Sequence, residues 1–325
     1  MTPELITAAE TRLAGVVRRT PLLSSGFLDE IAGRPVYVKA ECLQHTGSFK
    51  FRGAWSAISM LGPECGGVIA YSSGNHAQGV AMAAARRGLP AVIIMPDDAP
   101  EVKLANTRAL GAEVVTYRRM HEERDALGQR LAEERGLTLV KPFDDPLVIA
   151  GQATCGLEIC AQAAEEGLTE ADIVVCAGGG GLASGIALAL EMRAPGFILR
   201  TAEPDGFDDM RRSLAAGEIL RNGANGTSIC DAILTPCPGT LTFPILNRCA
   251  APGVAMPDAA CLRAMRAAFE RLRLVLEPGG AVALAAALWH PDLRATDAAE
   301  AKRPIIAVAT GGNVDAAVFM RALAG

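Results

Sequence analysis

Lys50 stands between Phe49 and Phe51 in the run TGSFKFRGA (Thr46 to Ala54). Burial among rings disfavours an ammonium and can lower a lysine pKa by about 3–5 units, leaving a neutral amine able to condense with an aldehyde. The competing explanation is a helix-start lysine whose stem passes two core phenylalanines while its head reaches water. These residues alone leave both open. Four consecutive glycines, Gly178 to Gly181, lie between ADIVVCA and LASGIALALEMRA. A strand, a bare-backbone loop and a helix N-terminus together present N–H donors and a positive dipole end to an anion. The spacing is neither GxGxxG with an acidic residue about 20 positions on nor GxxxxGK[ST], so a small phosphorylated cofactor fits better than a dinucleotide or a nucleoside triphosphate. A single glycine would be explained by a tight turn, whereas four in succession favour phosphate.

Two further runs carry polar groups at strand ends. YSSGNHAQG (Tyr71 to Gly79) places Ser72, Ser73, Asn75 and the first N–H groups of a helix where they can hold a carboxylate. ATGGNVD (Ala309 to Asp315) closes the last β-branched run with Thr310.

The elements that must position these groups alternate. Short β-branched runs (PVYVKAE, GGVIAYS, PAVIIMP, AEVVTY, ADIVVCA, FILRTAE and PIIAVATGG) are separated by Ala/Leu/Arg segments of helical period. That pattern predicts an α/β fold of parallel sheet covered by helices on both faces. Glu101 to Gly111 and Glu122 to Gly136 are ordinary covering helices. No repeat or linker appears, and the turn-rich KPFDDP (Lys141 to Pro146) and the glycine-rich stretch after Leu61 are the candidate domain connections.

Composition narrows the function further. The chain has 325 residues, half of them apolar but only 4 % aromatic, so its core is built from Ala, Val, Leu and Ile. A net charge of −5 and few rings argue against nucleic acid as a partner. No uninterrupted apolar stretch approaches the roughly 20 residues of a membrane span, and the opening MTPELITAAE lacks a basic leader, so a cytoplasmic protein is expected. Nine scattered cysteines, Cys160, Cys176 and Cys261 among them in apolar runs, suggest buried free thiols. Four histidines that do not cluster with cysteine argue against zinc.

Taken in order, the four runs resemble the fold-type II pyridoxal-phosphate enzymes, in the branch of serine/threonine dehydratases and serine racemases. The likeness extends from TPLLSS (Thr20 to Ser25) to GGNVD. It implies a two-domain, tryptophan synthase β-like architecture: residues 1–51 and 149–325 form the larger, cofactor-binding domain, and 52–148 a smaller domain that carries the carboxylate loop and closes on substrate. By the same resemblance Lys50 is the Schiff-base lysine, Phe49 packs on the cofactor ring and Asn75 bonds its 3-oxygen. Gly178, Gly179, Gly180 and Gly181 hold the phosphate, Thr310 faces the pyridine nitrogen, and Ser72, Ser73, Asn75 and His76 grip the substrate carboxylate. Glu277 and Asp231 match positions near the cofactor, although relatives usually show ADG where this chain has Cys230-Asp231-Ala232.

The resemblance implies elimination of water from a small β-hydroxy-α-amino acid, giving a 2-oxo acid and ammonia. A hydroxyl at Thr310 cannot protonate the pyridine nitrogen, which weakens the electron sink and favours elimination over transamination. Ser73 matches the position that serves the opposite face of the α-carbon in racemases, so racemisation is the alternative activity. AEPDGFDDM (Ala202 to Met210) resembles a divalent-cation segment, with Glu203, Phe207 and Asp209 as oxygen ligands for Mg2+ or Ca2+; an acidic helix start explains the same residues without metal. Arg118, Arg119, His121 and Arg124 lie where one could meet a second carboxylate and turn preference toward 3-hydroxyaspartate, solvated charge being the plainer explanation. The short tail after GGNVD implies a catabolic enzyme without an effector domain, and the family implies a homo-oligomer, commonly a dimer. A non-catalytic amino-acid-binding protein and an enzyme with another phosphorylated cofactor are the competing classes, and an imine-forming lysine beside SSGNH speaks against the first.

Overall fold

A computed structural model describes residues 1–72, 74–99, 101–118, 124–223, 226–295 and 302–325. Its strands are β1 (Leu22–Ser24), β2 (Val36–Lys39), β3 (Val68–Tyr71), β4 (Ala91–Pro96), β5 (Glu113–Tyr117), β6 (Thr138–Leu139), β7 (Ala171–Cys176), β8 (Phe197–Pro204), β9 (Ala250–Met256) and β10 (Ile305–Val308). They form two sheets, a six-stranded one in the order β1-β2-β10-β7-β8-β9 and a four-stranded one in the order β5-β4-β3-β6. Every pairing is parallel except that of β1 with β2. The protein is thus an α/β molecule of two parallel-sheet domains.

Parallel strands covered on both faces read as unbroken apolar runs, and all six residues of β7 and of β4 are buried. The strand period of two sorts side chains between two cores. Val174 and Cys176 join Ile305 and Ala307 against the helices Asp258–Leu272 and Pro278–Trp289. Ile173 and Val175 join Ile306 and Val308 against the helices Pro146–Glu165 and Gly181–Arg193. Pro278–Trp289 is apolar all round because it is buried throughout its length. Pro146–Glu165 has the length and composition to cross a membrane, yet most of it is enclosed by the protein. The seven runs expected from β-branched residues all form strands. Sequence reasoning missed β1, β6 and β9, the first two being only 3 and 2 residues long. The third carries Pro252 and Gly253, lies at a sheet edge and shifts register against β8 between Arg200 and Ala202.

A buried ion network locks the helix Lys50–Ile58 in place. Arg52, fully buried, donates to Glu41 at 2.7 Å and to Glu158 at 2.8 Å. Lys39, also fully buried, donates to Glu158 at 2.6 Å and to Gln162 at 2.8 Å. The network joins β2, the helix Lys50–Ile58 and the helix Pro146–Glu165. Taking away one member leaves a buried charge uncompensated, at a cost of about 3–5 kcal/mol. The two helices touch at glycine, since a Cβ on Gly151 would lie 2.6 Å from the Arg52 carbonyl oxygen. The nine cysteines are free thiols.

Candidate active site

Lys50 opens its helix at a point held from two sides. The Phe49 N–H donates to the Thr310 carbonyl at 3.1 Å, and Ser48 pairs with Gly311 in an antiparallel bridge. The Lys50 ammonium donates to the Pro142 carbonyl at 2.8 Å and sits 5.3 Å from the centre of the Phe49 ring. Burial lowers its pKa to about 8. Lys50 therefore does not snorkel past two rings to bulk water. The two phenylalanines differ, however. Phe51 turns away from the lysine into the core of the smaller sheet, its ring 5.1 Å from that of His45 and 6.2 Å from that of Trp55.

Lys50 lines a cavity of about 660 Å³, and Phe49, Ser72, Asn75, His76, Gly178, Gly179, Gly180, Gly181, Glu277 and Thr310 line it too. Residues chosen from four separated runs of sequence meet in one space. The glycine loop follows β7 and leads into the helix Gly181–Arg193. Among the described residues no acceptor meets the N–H groups of Gly178, Gly179 and Gly180. Gly180 has φ +91°, a left-handed conformation that glycine adopts without penalty. A Cβ on Gly179 would lie 2.2 Å from the Phe143 ring, so that side chain packs directly against the loop. Unpaired donors at a helix N-terminus are an anion site.

Across the cavity a polar chain runs through Asn75. Its Nδ2 donates to Glu277 at 2.6 Å, and its Oδ1 accepts from Asn313 at 2.7 Å. Burial raises the Glu277 carboxyl to about 7. The N–H of Gly74 donates to the Ser72 hydroxyl at 3.2 Å, which shapes the turn in front of the helix Asn75–Arg87. His76 places its Nε2 2.9 Å from the Val140 carbonyl. A carbonyl accepts only, so Nε2 carries the proton, and burial together with nearby Lys50 holds the ring neutral with a pKa of about 3. Thr310 is 3.2 Å from the Cys176 thiol, which burial pushes up to about 12. Ser73 lies outside the described residues.

Sequence reasoning missed Cys176, Asn313, Pro142, Phe143 and Lys103, all of them on the cavity wall. Pro142 and Phe143 belong to the turn-rich segment expected to join domains, and nothing in its composition marks it as a wall of the site. Asp231 lies on the wall and accepts from Lys103 at 2.8 Å. Of the arginines and histidine considered for a second carboxylate, Arg119, His121 and the side chain of Arg124 lie outside the described residues. Arg118 does not line the cavity.

Glu203, Phe207 and Asp209 stand apart from this cavity, at the end of β8 and the start of the helix Asp209–Ala216. Glu203 accepts the N–H groups of Met210 at 2.8 Å and Arg211 at 2.7 Å. Asp209 accepts from Asn222 at 2.6 Å through Oδ1, while its buried Oδ2 has no partner. Burial raises both carboxyls, Asp209 to about 6.

Residues 13–311 match the family model described as pyridoxal-phosphate dependent enzyme. The chain belongs to that family. Within it, the chain is 40 % identical over 324 residues to an L-threo-3-hydroxyaspartate ammonia-lyase of Pseudomonas sp, covering 99 % of this chain and 98 % of the relative. It is 38 % identical over 321 residues to a serine racemase of Oryza sativa subsp. indica, covering 98 % and 92 %. Among solved structures, a threonine deaminase from T.th. superposes with a TM-score of 0.90 at 42 % identity, covering 97 % of this chain and 99 % of the other. These relatives place the protein in the fold-type II pyridoxal-phosphate branch of ammonia-lyases and serine racemases. The site fits the cofactor on its own terms, with three unbonded N–H groups for a phosphate and one partly deprotonated amine in the same cavity.

Proposed function

We propose that the protein eliminates water from a small β-hydroxy-α-amino acid to give a 2-oxo acid and ammonia. One observation carries this: the amine of Lys50 faces a cavity whose wall includes the unpaired N–H groups of the Gly178–Gly181 loop and a hydroxyl at Thr310. Pyridoxal phosphate, when bound, supplies the electron sink that acidifies the α-hydrogen. Gly178 to Gly181 would hold its phosphate, and Phe49 and Asn75, the latter steadied by Glu277 and Asn313, would hold its ring. Ser72, the Asn75 and His76 N–H groups and Ser73 hold the substrate carboxylate at the head of the helix Asn75–Arg87. Lys50 takes the α-proton at Nζ, for which a pKa of about 8 leaves a useful neutral fraction near neutral pH. The same group then gives a proton to the departing β-hydroxyl, and the released enamine hydrolyses in water.

The neutral Thr310–Cys176 contact supports elimination over transamination, since neither group is an anion that would keep the pyridine nitrogen protonated. Racemisation through Ser73 is the second reading, favoured by the serine racemase relative. Purified enzyme given serine, threonine and 3-hydroxyaspartate is expected to release ammonia and a 2-oxo acid in equal amounts from at least one of them. Inverted amino acid without ammonia would replace elimination by racemisation.

We also propose that residues 52–148 act as the smaller domain, because all four strands of the smaller sheet fall between Val68 and Leu139. Glu203, Asp209 and the Phe207 carbonyl are proposed to hold Mg2+ or Ca2+, as the unpartnered Asp209 Oδ2 beside a second buried carboxylate calls for a cation. Millimolar magnesium or calcium should raise the melting temperature by several degrees and do nothing for Asp209→Asn. An unshifted wild type would remove the site.

A further inference from the structure

The cavity wall is rich in carboxylates, with Asp98, Asp231, Glu277 and Asp315 on it. Among the described residues that line it, the cationic side chains are Lys50 and Lys103, and His76 is held neutral by burial. Lys50 is engaged by the chemistry proposed above, which leaves Lys103. It projects from the helix Glu101–Ala109, with its side chain 17 % exposed. An ammonium has three donors, and the described residues engage one of them, on Asp231 at 2.8 Å. Asp231 is itself 58 % exposed in its side chain, so water can serve it when the lysine turns inward.

We propose that Lys103 receives the second carboxylate of a dicarboxylic β-hydroxy-α-amino acid, and so makes 3-hydroxyaspartate a better substrate than serine or threonine. The inference rests on the elimination proposed above and names its substrate class. Its physical basis is the sign of the wall. Without Lys103, the carboxylates of Asp231 and Asp315 would repel a second substrate carboxylate, whereas serine and threonine carry no charge there to be repelled. Lys103 and the Asn75 loop both belong to the stretch that holds the smaller sheet, so one body would grip both ends of a dicarboxylate.

Steady-state kinetics of the holoenzyme on serine and on the 3-hydroxyaspartate diastereomers test this in the wild type, Lys103→Met and Lys103→Arg. Lys103→Met should lose roughly 30-fold or more in kcat/KM on 3-hydroxyaspartate, as expected when one partner of a buried charge pair is truncated. Most of that loss should fall in KM. The ratio of kcat/KM for 3-hydroxyaspartate over serine should collapse with it, and Lys103→Arg should restore the ratio. Equal losses on both substrates would make Lys103 a clasp between domains and overturn the proposal. So would a wild type that dehydrates serine but not 3-hydroxyaspartate. A wild type that dehydrates neither of these, nor threonine, would overturn the elimination itself, and this inference with it.

Discussion

Lys50→Ala will turn over no substrate at a measurable rate, a loss on the order of 10³-fold or more, and will not fix the cofactor covalently. The expectation follows from position rather than from residue type alone. The lysine is anchored at its backbone by the Phe49–Thr310 hydrogen bond and the Ser48–Gly311 bridge, so its side chain starts from a fixed point beside the glycine loop. Among the described residues its head meets the Pro142 carbonyl and the Phe49 ring, neither of which stabilises an ammonium as a carboxylate would. Burial accordingly outweighs the attraction of Glu277 and lowers the pKa from 10.5 to about 8. The sign follows: the neutral amine, the form that condenses with an aldehyde, accumulates as pH rises through about 8 instead of near 10.5. Cofactor uptake by wild-type apoenzyme should therefore quicken across that range, while Lys50→Ala shows no such rise. Stopped-flow absorbance measures both, and turnover by the variant would contradict the assignment.

Gly179→Val should weaken cofactor binding by roughly 5- to 150-fold, the range that 1–3 kcal/mol of overpacking produces. The first added carbon falls 2.2 Å from the Phe143 ring, and the Cβ and backbone of the same residue bound Gly181, whose own Cβ would lie 2.9 Å from the Phe143 Cβ. Phe143 has to move, and its neighbour Pro142 carries the carbonyl that Lys50 bonds. One substitution thus disturbs the glycine loop and the lysine together. Titration of apoenzyme with pyridoxal phosphate reads the affinity, and a melting temperature taken without cofactor separates this from general unfolding. Unchanged affinity would mean that the loop holds no phosphate.

What could be read in the sequence was whatever is contiguous. Four adjacent glycines, a lysine with its flanking phenylalanines, and SSGNH each carry their chemistry within a few residues, because each sits at a strand end or a helix start where local backbone geometry decides its use. Contacts made across the chain were not visible. The Lys50–Pro142 bond spans 92 positions and the Lys103–Asp231 bond 128, and no periodicity encodes either. In the sequence Lys103 is one charge among several on a covering helix. Phe51 departs from the expectation because nearby residues at a helix start point in different directions, Phe49 toward the cavity and Phe51 into the smaller core. The strand β9 escaped because proline and glycine are tolerated at a sheet edge, where one side of the backbone needs no partner.

Borohydride reduction of the cofactor-loaded protein, followed by digestion and mass spectrometry, reports directly which amine holds the aldehyde. A pyridoxyl group on the peptide containing Lys50, with bleaching of the visible absorbance, is the expected result. Label on any other lysine, or no label on a protein that has taken up the cofactor, would contradict the site described for this chain.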